Sequence, residues 1–180
     1  MLLNEIIQPR VPVFHLTGIH ETIGILKTQS FKLTGGPHTN PDHNYADPTG
    51  RWHLSVARST QSIFVRMMAA RGSVLLTINR TLLQCNNKIV PYKCMDAEDE
   101  GWHDEMEDRV YSDSPILKIR PPINRTILSI RAIGKPFTTQ GASHSFTEAD
   151  VKQLTSLCQQ HNIPLQWWDE ENEDAFIRGR

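Results

Sequence analysis

Apolar and polar residues alternate along several short segments, which is the pattern of half-buried β-strands. In residues 52–59, Trp52, Leu54 and Val56 fall on one side and His53, Ser55 and Ala57 on the other. Residues 126–133 alternate in the same way. Shorter apolar runs bounded by turn-forming residues predict further strands at 13–17, 31–33, 74–78 and 164–168, and 110–119 is apolar but interrupted by Ser114 and Pro115.

Helical spacing is less frequent than alternation. Ile19, Ile23 and Leu26 lie on one face of a predicted helix that ends near residue 28. A second helix is predicted after Ser59 or Thr60, with a buried stripe made of Ile63, Phe64, Met67 and Met68. A third is predicted after a cap formed by Thr147 and Asp150, with Val151, Leu154 and Leu157 facing inward.

Two long irregular segments separate these elements, at 35–51 and 81–104, and long loops in compact domains are often functional. Strands outnumber helices and do not alternate regularly with them. The sequence therefore predicts an α+β fold rather than a doubly wound parallel sheet. Its length of 180 residues favours a single domain over 1–180, with 169–180 as an exposed polar tail.

Composition narrows the possible classes of protein. Hydrophobic residues make up 38% of the chain, enough for a real core, and 19 basic against 20 acidic residues give a formal charge of −1. This balance disfavours general nucleic-acid binding but leaves room for a local phosphate site. No apolar run is long enough to span a membrane, no signal peptide is evident, and the odd count of 3 cysteines favours reduced thiols. We expect a soluble cytoplasmic protein without membrane contact.

Common nucleotide, hydrolase and metal motifs are missing. The chain has no glycine-rich dinucleotide fingerprint, no phosphate loop and no Gly-x-Ser-x-Gly elbow. Cys85, Cys94 and His103 match no common zinc spacing, and the histidines at 38, 43 and 53 fall in and around a loop. No metal is expected.

Three segments carry residues suited to chemistry. The first is residues 14–18, Phe-His-Leu-Thr-Gly, with a polar pair on an apolar strand. The second is residues 54–59, Leu-Ser-Val-Ala-Arg-Ser, a strand that ends in polar donors. The third is residues 105–111, Glu-Met-Glu-Asp-Arg-Val-Tyr, where two carboxylates two positions apart share one face of a strand.

Taken in order, these segments resemble the ADP-ribosyltransferase superfamily: His-x-Thr on an early strand, a strand ending Ala-Arg-Ser, then a late Glu-x-Glu. The closest similarity is to the histidine-type branch, with its toxin-like and RNA 2′-phosphotransferase-like members, over residues 13–133. The resemblance implies split β-sheets with flanking helices. It also implies NAD as a substrate and transfer of ADP-ribose to a protein or nucleic-acid acceptor, with release of nicotinamide.

The resemblance also implies roles for residues. Glu107 would stabilise the positive charge that develops on the ribose, and Glu105 would orient the acceptor or exchange roles with Glu107. His15, with Thr17 beside it, would hold the ribose and the nicotinamide half of NAD. Ser55, Arg58 and Ser59 would line the second strand, where an arginine suits pyrophosphate.

The match has departures from the family pattern. Many histidine-type members carry a tyrosine on the second strand, and residues 52–66 contain none, so Phe64, Trp52 or Tyr45 would have to stack on nicotinamide. The sub-branch therefore stays open.

Other interpretations also remain open. His15 could be a packed residue, Glu107 part of a solvated acidic loop, Arg58 the partner of an acidic residue, and Ser59 a helix cap. A binding or inhibitor protein on the same scaffold, encoded by a phage or another mobile element, would use the acidic residues 96–108 to bind a basic partner. RNA phosphate transfer is the least favoured of these functions, because it would require more basic residues than this sequence has near its three motifs.

Overall fold

The fold is given by a computed structural model, which describes residues 11–35, 50–60, 74–84, 87–91, 107–132 and 146–167. Their strands are β1 (Pro12–Thr17), β2 (Ser30–Lys32), β3 (Thr34–Gly35), β4 (Trp52–Ala57), β5 (Val74–Asn79), β6 (Lys88–Pro91), β7 (Glu107–Ser112), β8 (Ile116–Lys118), β9 (Ile127–Ala132) and β10 (Leu165–Trp167). The helices are α1 (Ile19–Thr28), α2 (Arg80–Gln84) and α3 (Glu148–His161), with a 3₁₀ turn at Ile123–Arg125.

Eight of the strands form one mixed sheet in the order β10-β9-β5-β1-β4-β7-β6, with β3 paired to β4. The β10–β9 pair is parallel and the other pairs are antiparallel. β2 and β8 form a separate two-stranded sheet. Because the sheet is largely antiparallel and the helices do not alternate regularly with the strands, the architecture is α+β, as the sequence predicted.

The core lies against one face of the large sheet. Alternation on β4 and β5 directs Leu54, Val56, Leu76 and Ile78 to this face, and α1 and α3 cover it with apolar stripes that include Leu26 and Leu154. Both helices follow the predicted spacing. The other face of the central strands is also shielded, since Ala57 and Leu75 are fully buried.

The sheet opens between its two central strands, β1 and β4. β1 pairs with β5 at six consecutive positions, from Pro12 to Thr17, and β4 pairs with β7 at six from Trp52 to Ala57. Within these strands, β1 and β4 share the single pair Phe14–Ala57. The strands therefore separate beyond this row, and the backbone groups that would have paired across the gap must find other partners.

Most of the predicted strands are present, including the short one predicted at 31–33, which is β2 (Ser30–Lys32). The predicted strands at 13–17, 52–59, 74–78, 126–133 and 164–168 are confirmed with small shifts at their ends, and 110–119 is two strands joined at Ser114 and Pro115. Helix α2 and strand β6 were missed, because they have only 5 and 4 residues and lie in or at the edge of a segment predicted to be irregular. The predicted helix after Ser59 and the polar tail lie outside the described residues.

None of the described helices is long and apolar enough to cross a membrane. Cys158 is a buried free thiol on α3, and burial raises its pKa to about 11. At neutral pH it is therefore a packed thiol rather than a reactive thiolate.

The predicted cap of α3 is confirmed. Thr147 accepts a hydrogen bond from the Asp150 backbone N–H at 3.1 Å, and the Asp150 carboxylate accepts from the Thr147 hydroxyl at 2.6 Å and from the Thr147 backbone N–H at 3.2 Å. These bonds lower the pKa of Asp150, with the Thr147 side chain as the largest cause.

We expect Thr147→Ala to lower the free energy of unfolding by about 1 kcal/mol. Urea denaturation measures this loss, and Thr147→Ser should retain most of the stability.

Candidate active site at the opening of the sheet

Three neighbouring strands carry the residues singled out in the sequence. Phe14 on β1 pairs with Ala57 on β4, and Ala57 pairs with Glu107 at the start of β7, so the three residues form one row across the sheet. Neighbouring strands lie about 4.8 Å apart, which sets β1 and β7 about 10 Å apart at this row. His15 and Arg58 each lie next to the row, at the point where the sheet opens.

His15 fills part of this opening. Its Nδ1 lies 2.8 Å from the backbone carbonyl oxygen of Ser55. In a continuous sheet, this oxygen would accept a hydrogen bond from a backbone N–H of β1. Because a carbonyl only accepts, Nδ1 carries the proton and donates it. Burial lowers the pKa of His15, and the bond to Ser55 opposes this only in part. The neutral ring therefore presents Nε2 as a hydrogen-bond acceptor.

The stability of the protein should report the protonation of His15. Unfolding returns the ring to its ordinary pKa of 6.5, so between the lowered pKa of the folded state and 6.5 the unfolded chain binds more protons. The contribution of His15 to the unfolding free energy is thus complete above pH 6.5 and declines as the pH falls toward the folded pKa. His15→Gln should abolish this decline in urea denaturation between about pH 7.5 and about pH 5. The exposed His20, changed to Gln, is the control, and an equal effect of both variants would contradict the expectation.

Glu107 forms a buried ion pair with Arg109. The Arg109 Nε donates a hydrogen bond to Glu107 Oε1 at 3.3 Å. The side chain of Glu107 is only 9% exposed, and that of Arg109 only 5%. Residues two apart on a strand point to the same face, and Arg109 lies beside Ser55 on β4. Ser55, Glu107 and Arg109 thus form one polar group on the face opposite the core. The alternative interpretation of Glu107 as part of a solvated acidic loop is wrong, because Glu107 is a buried strand residue.

Asp108 forms a second ionic group on the other face. It has no exposed surface, and its carboxylate lies 3.4 Å from the Arg58 Nε and 3.0 Å from the Arg80 Nη2. Val56 pairs with Asp108 and shares its face. The interpretation of Arg58 as the partner of an acidic residue is therefore confirmed, and the acid is Asp108.

Strand alternation decides which predicted residues share a face. Phe14 points to the face of Ala57 and Glu107, so His15 leaves β1 toward the face of Val56 and Asp108. His15 and Glu107 lie about one row apart along the strands, and their side chains leave the sheet on opposite faces. The opening of the sheet lies between β1 and β4. Thr17 lies two residues beyond His15, on the same face and half-buried.

The other predicted site residues are less defined. Ser59 follows Arg58 and is half-buried, and Trp52 lies at the far end of β4, packed against the core. Glu105, Tyr45 and Phe64 lie outside the described residues.

Three residues of the two ionic groups were not predicted as site residues. Arg80 begins a helix that the sequence did not indicate, while Asp108 and Arg109 were counted only with the charged residues around Glu107. The order Glu-Asp-Arg-Val at the start of a strand was the available signal, because alternation sends Glu107 and Arg109 to one face and Asp108 to the other.

The described residues contain one cavity away from the opening of the sheet and no cluster of metal ligands. No group of three or more His, Cys, Asp or Glu side chains in the described ranges is arranged to hold a metal ion. A cavity of ≈ 350 Å³ lies beside the two-stranded sheet, lined by Phe31, Leu83 and Lys118 among others. None of the predicted site residues lines that cavity.

Comparison with known proteins gives a distant similarity. No protein-family model and no curated protein matches the chain. Two solved structures are similar to it. The first is Thermus sp. 2.9 DarT in complex with carba-NAD+, with 8% identity and a TM-score of 0.47, and the match covers 91% of this chain and 98% of that chain. The second is Thermus sp. 2.9 DarT in complex with NAD+, with 7% identity and a TM-score of 0.46, and the match covers 89% of this chain and 96% of that chain.

Proposed function

We propose that this protein is an NAD-dependent ADP-ribosyltransferase, which breaks the bond between nicotinamide and ribose and transfers ADP-ribose to a protein or nucleic-acid acceptor. The observation that carries the proposal is the adjacency of β1, β4 and β7, with the sheet open between β1 and β4. The sequence resemblance rests on these same three strands, in the same order along the chain. The three motifs, far apart in sequence, thereby come within two strand spacings of one another.

The reaction needs negative charge near the ribose. When the bond between the anomeric carbon and nicotinamide breaks, nicotinamide leaves with the bonding electron pair, and positive charge develops on the ribose, as in glycoside hydrolysis. In the proposal Glu107 stabilises this charge and accepts a hydrogen bond from a ribose hydroxyl. The acceptor then bonds to the anomeric carbon and loses its proton to solvent, with Glu105 orienting it.

Cofactor binding falls to the residues around the opening. His15 is neutral with Nε2 as an acceptor, which suits a ribose hydroxyl, and Thr17 lies on the same side of the strand. Arg58 supplies a guanidinium to the pyrophosphate of NAD, and Ser55 on β4 and Ser59 after it supply further hydrogen-bonding groups. Tyr45, from the preceding segment, is proposed to stack on nicotinamide.

NAD consumption tests the proposal directly. The full chain is incubated with NAD, and release of nicotinamide is followed by chromatography. Parallel reactions in cell lysate, with NAD labelled in its adenine, detect transfer of ADP-ribose to protein or to nucleic acid, separated by protease and nuclease treatment. Absence of both release and transfer would contradict the proposal.

One observation favours a second function, a non-catalytic binding or inhibitor protein. Glu107 is already neutralised by Arg109, and both side chains are nearly inaccessible to solvent, as expected of a structural ion pair. Such a protein would capture a basic partner in a salt-sensitive manner. Capture that is indifferent to NAD and to Glu107→Gln, from a chain that leaves NAD intact, would support this alternative.

A further inference from the structure

The cavity beside the two-stranded sheet has no role in the proposed reaction. Its volume is ≈ 350 Å³, and its walls come from β2, β8, helix α2 and the segments that flank them. Sites for small molecules have volumes of about 300–1,000 Å³. The cavity is therefore large enough for a small organic ligand.

The inner wall of the cavity is apolar. Phe31, Leu83 and Leu117 line it, and all three are buried residues of the core. Ile116 also lines it and is 50% exposed, so this side of the cavity meets solvent. Removing apolar surface from water is favourable, and the wall therefore favours a ligand with an apolar body.

The charge around the cavity is positive. Lys118 and Arg120 line it, and no Asp or Glu does so within the part of the chain that the structure describes. Arg120 already interacts with another group of the protein, so Lys118 is the residue that defines the charge of the site. Lys118 is exposed, and its ammonium group can approach an anion at the mouth of the cavity. An exposed ion pair contributes little by itself, so the apolar wall supplies most of the affinity and the lysine selects for an anion.

We propose that this cavity is a binding site for a small apolar carboxylate. The apolar body of the ligand lies against Phe31, Leu83 and Leu117, and its carboxylate lies beside Lys118. An aromatic ring suits the wall, because Phe31 offers a ring for stacking or edge-to-face contact. The binding itself does not depend on whether the chain cleaves NAD.

Two contacts connect the cavity with the candidate active site. The rings of Phe31 and His15 are nearly perpendicular, at 87°, with their centroids 6.0 Å apart. Helix α2 contributes Leu83 to the cavity and begins at Arg80, whose Nη2 lies 3.0 Å from the Asp108 carboxylate. A ligand that packs against Phe31 therefore changes the surroundings of His15. The cavity is thus a regulatory site for the transferase, a role that rests on the proposed function.

Ligand-observed NMR titration of the full chain without NAD tests the site, with a naphthalene carboxylate as the probe. The matching neutral carboxamide should bind about 2- to 5-fold more weakly, the range expected for one exposed ion pair. Lys118→Gln should remove this preference. The control is Lys152→Gln, because Lys152 is an exposed lysine on α3 that pairs with Glu148. Equal affinities of the wild type for the two probes would overturn the assignment of a carboxylate.

Ile116→Trp tests the location of the site. The indole ring should occupy the mouth of the cavity and abolish the binding of both probes. Val11→Trp is the matched control, because Val11 is 48% exposed and does not line the cavity. Both changes are at exposed positions, and urea denaturation checks that the variants fold. Undiminished binding in Ile116→Trp, or no binding to the wild type at millimolar probe, would overturn the site.

The imidazole nitrogen NMR signals of His15 report the connection to the candidate active site. Saturating carboxylate probe should shift these signals, which His15→Gln assigns, and leave those of the exposed His20 unchanged. Bound probe with unshifted His15 signals would overturn the regulatory role. Probe binding in a chain that does not consume NAD supports the cavity site and contradicts the transferase. NAD consumption by a chain that binds neither probe supports the transferase and overturns the cavity site.

Discussion

Glu107→Gln should reduce the rate of NAD cleavage about 10²–10³-fold, the size of effect seen when one group that stabilises transition-state charge is removed. Glutamine keeps the shape and an oxygen acceptor but lacks the negative charge that the developing ribose cation requires. The loss should appear in kcat, with KM for NAD little changed, because the charge forms only in the transition state. Initial rates of nicotinamide release give both constants.

The buried pair with Arg109 makes a stability control necessary. Removing one partner of a buried ion pair costs about 3–5 kcal/mol, so the assay must run well below the melting temperature of the variant. Glu148→Gln is the matched control, because Glu148 is an exposed glutamate on α3 paired with Lys152. A Glu107→Gln protein that is less stable but equally active would identify the Glu107–Arg109 pair as structural and would remove Glu107 from the mechanism.

Leu76→Ala should lower the free energy of unfolding by about 2–5 kcal/mol, because it removes a large apolar side chain from a core that cannot fully close around the cavity. Leu76 has no exposed surface and lies on β5 between His15 on β1 and Ile130 on β9. In a protein of this size the expected fall in melting temperature is about 5–20 °C. Differential scanning calorimetry and urea titration measure the change.

Ile116→Ala is the comparison for this variant. Ile116 is 50% exposed on β8, so its truncation should change stability by no more than about 0.5 kcal/mol. Similar losses in the two variants would mean that β5 is not the centre of the core.

Much of the fold could be predicted because the relevant information is local. Residues 52–57 alternate and β4 forms there, and the Thr147–Asp150 cap depends on residues three apart in the chain. Helix α2 and strand β6 lack such signals, since each is too short to complete a repeating pattern. Their formation depends on contacts with the rest of the fold, such as the pairing of β6 with β7.

The candidate site was predicted only in part, for a related reason. His15, Ser55, Arg58 and Glu107 were identified from residue type and order, and their strands are neighbours in the sheet. Partners distant in sequence were not identified: Asp108 meets both Arg58 and Arg80, and no local pattern links these positions. The buried state of Glu107 was also hidden, because acidic stretches in sequences are usually exposed.

The sequence by itself determined the α+β class, most of the strands, two of the helices and the residue types available for chemistry, because periodicity and capping act between residues close in the chain. Only the tertiary structure decided the neighbours of each strand, the opening between β1 and β4, and the faces on which His15, Asp108 and Glu107 emerge. Strand register couples distant residues, and a shift of one position would send every side chain to the other face.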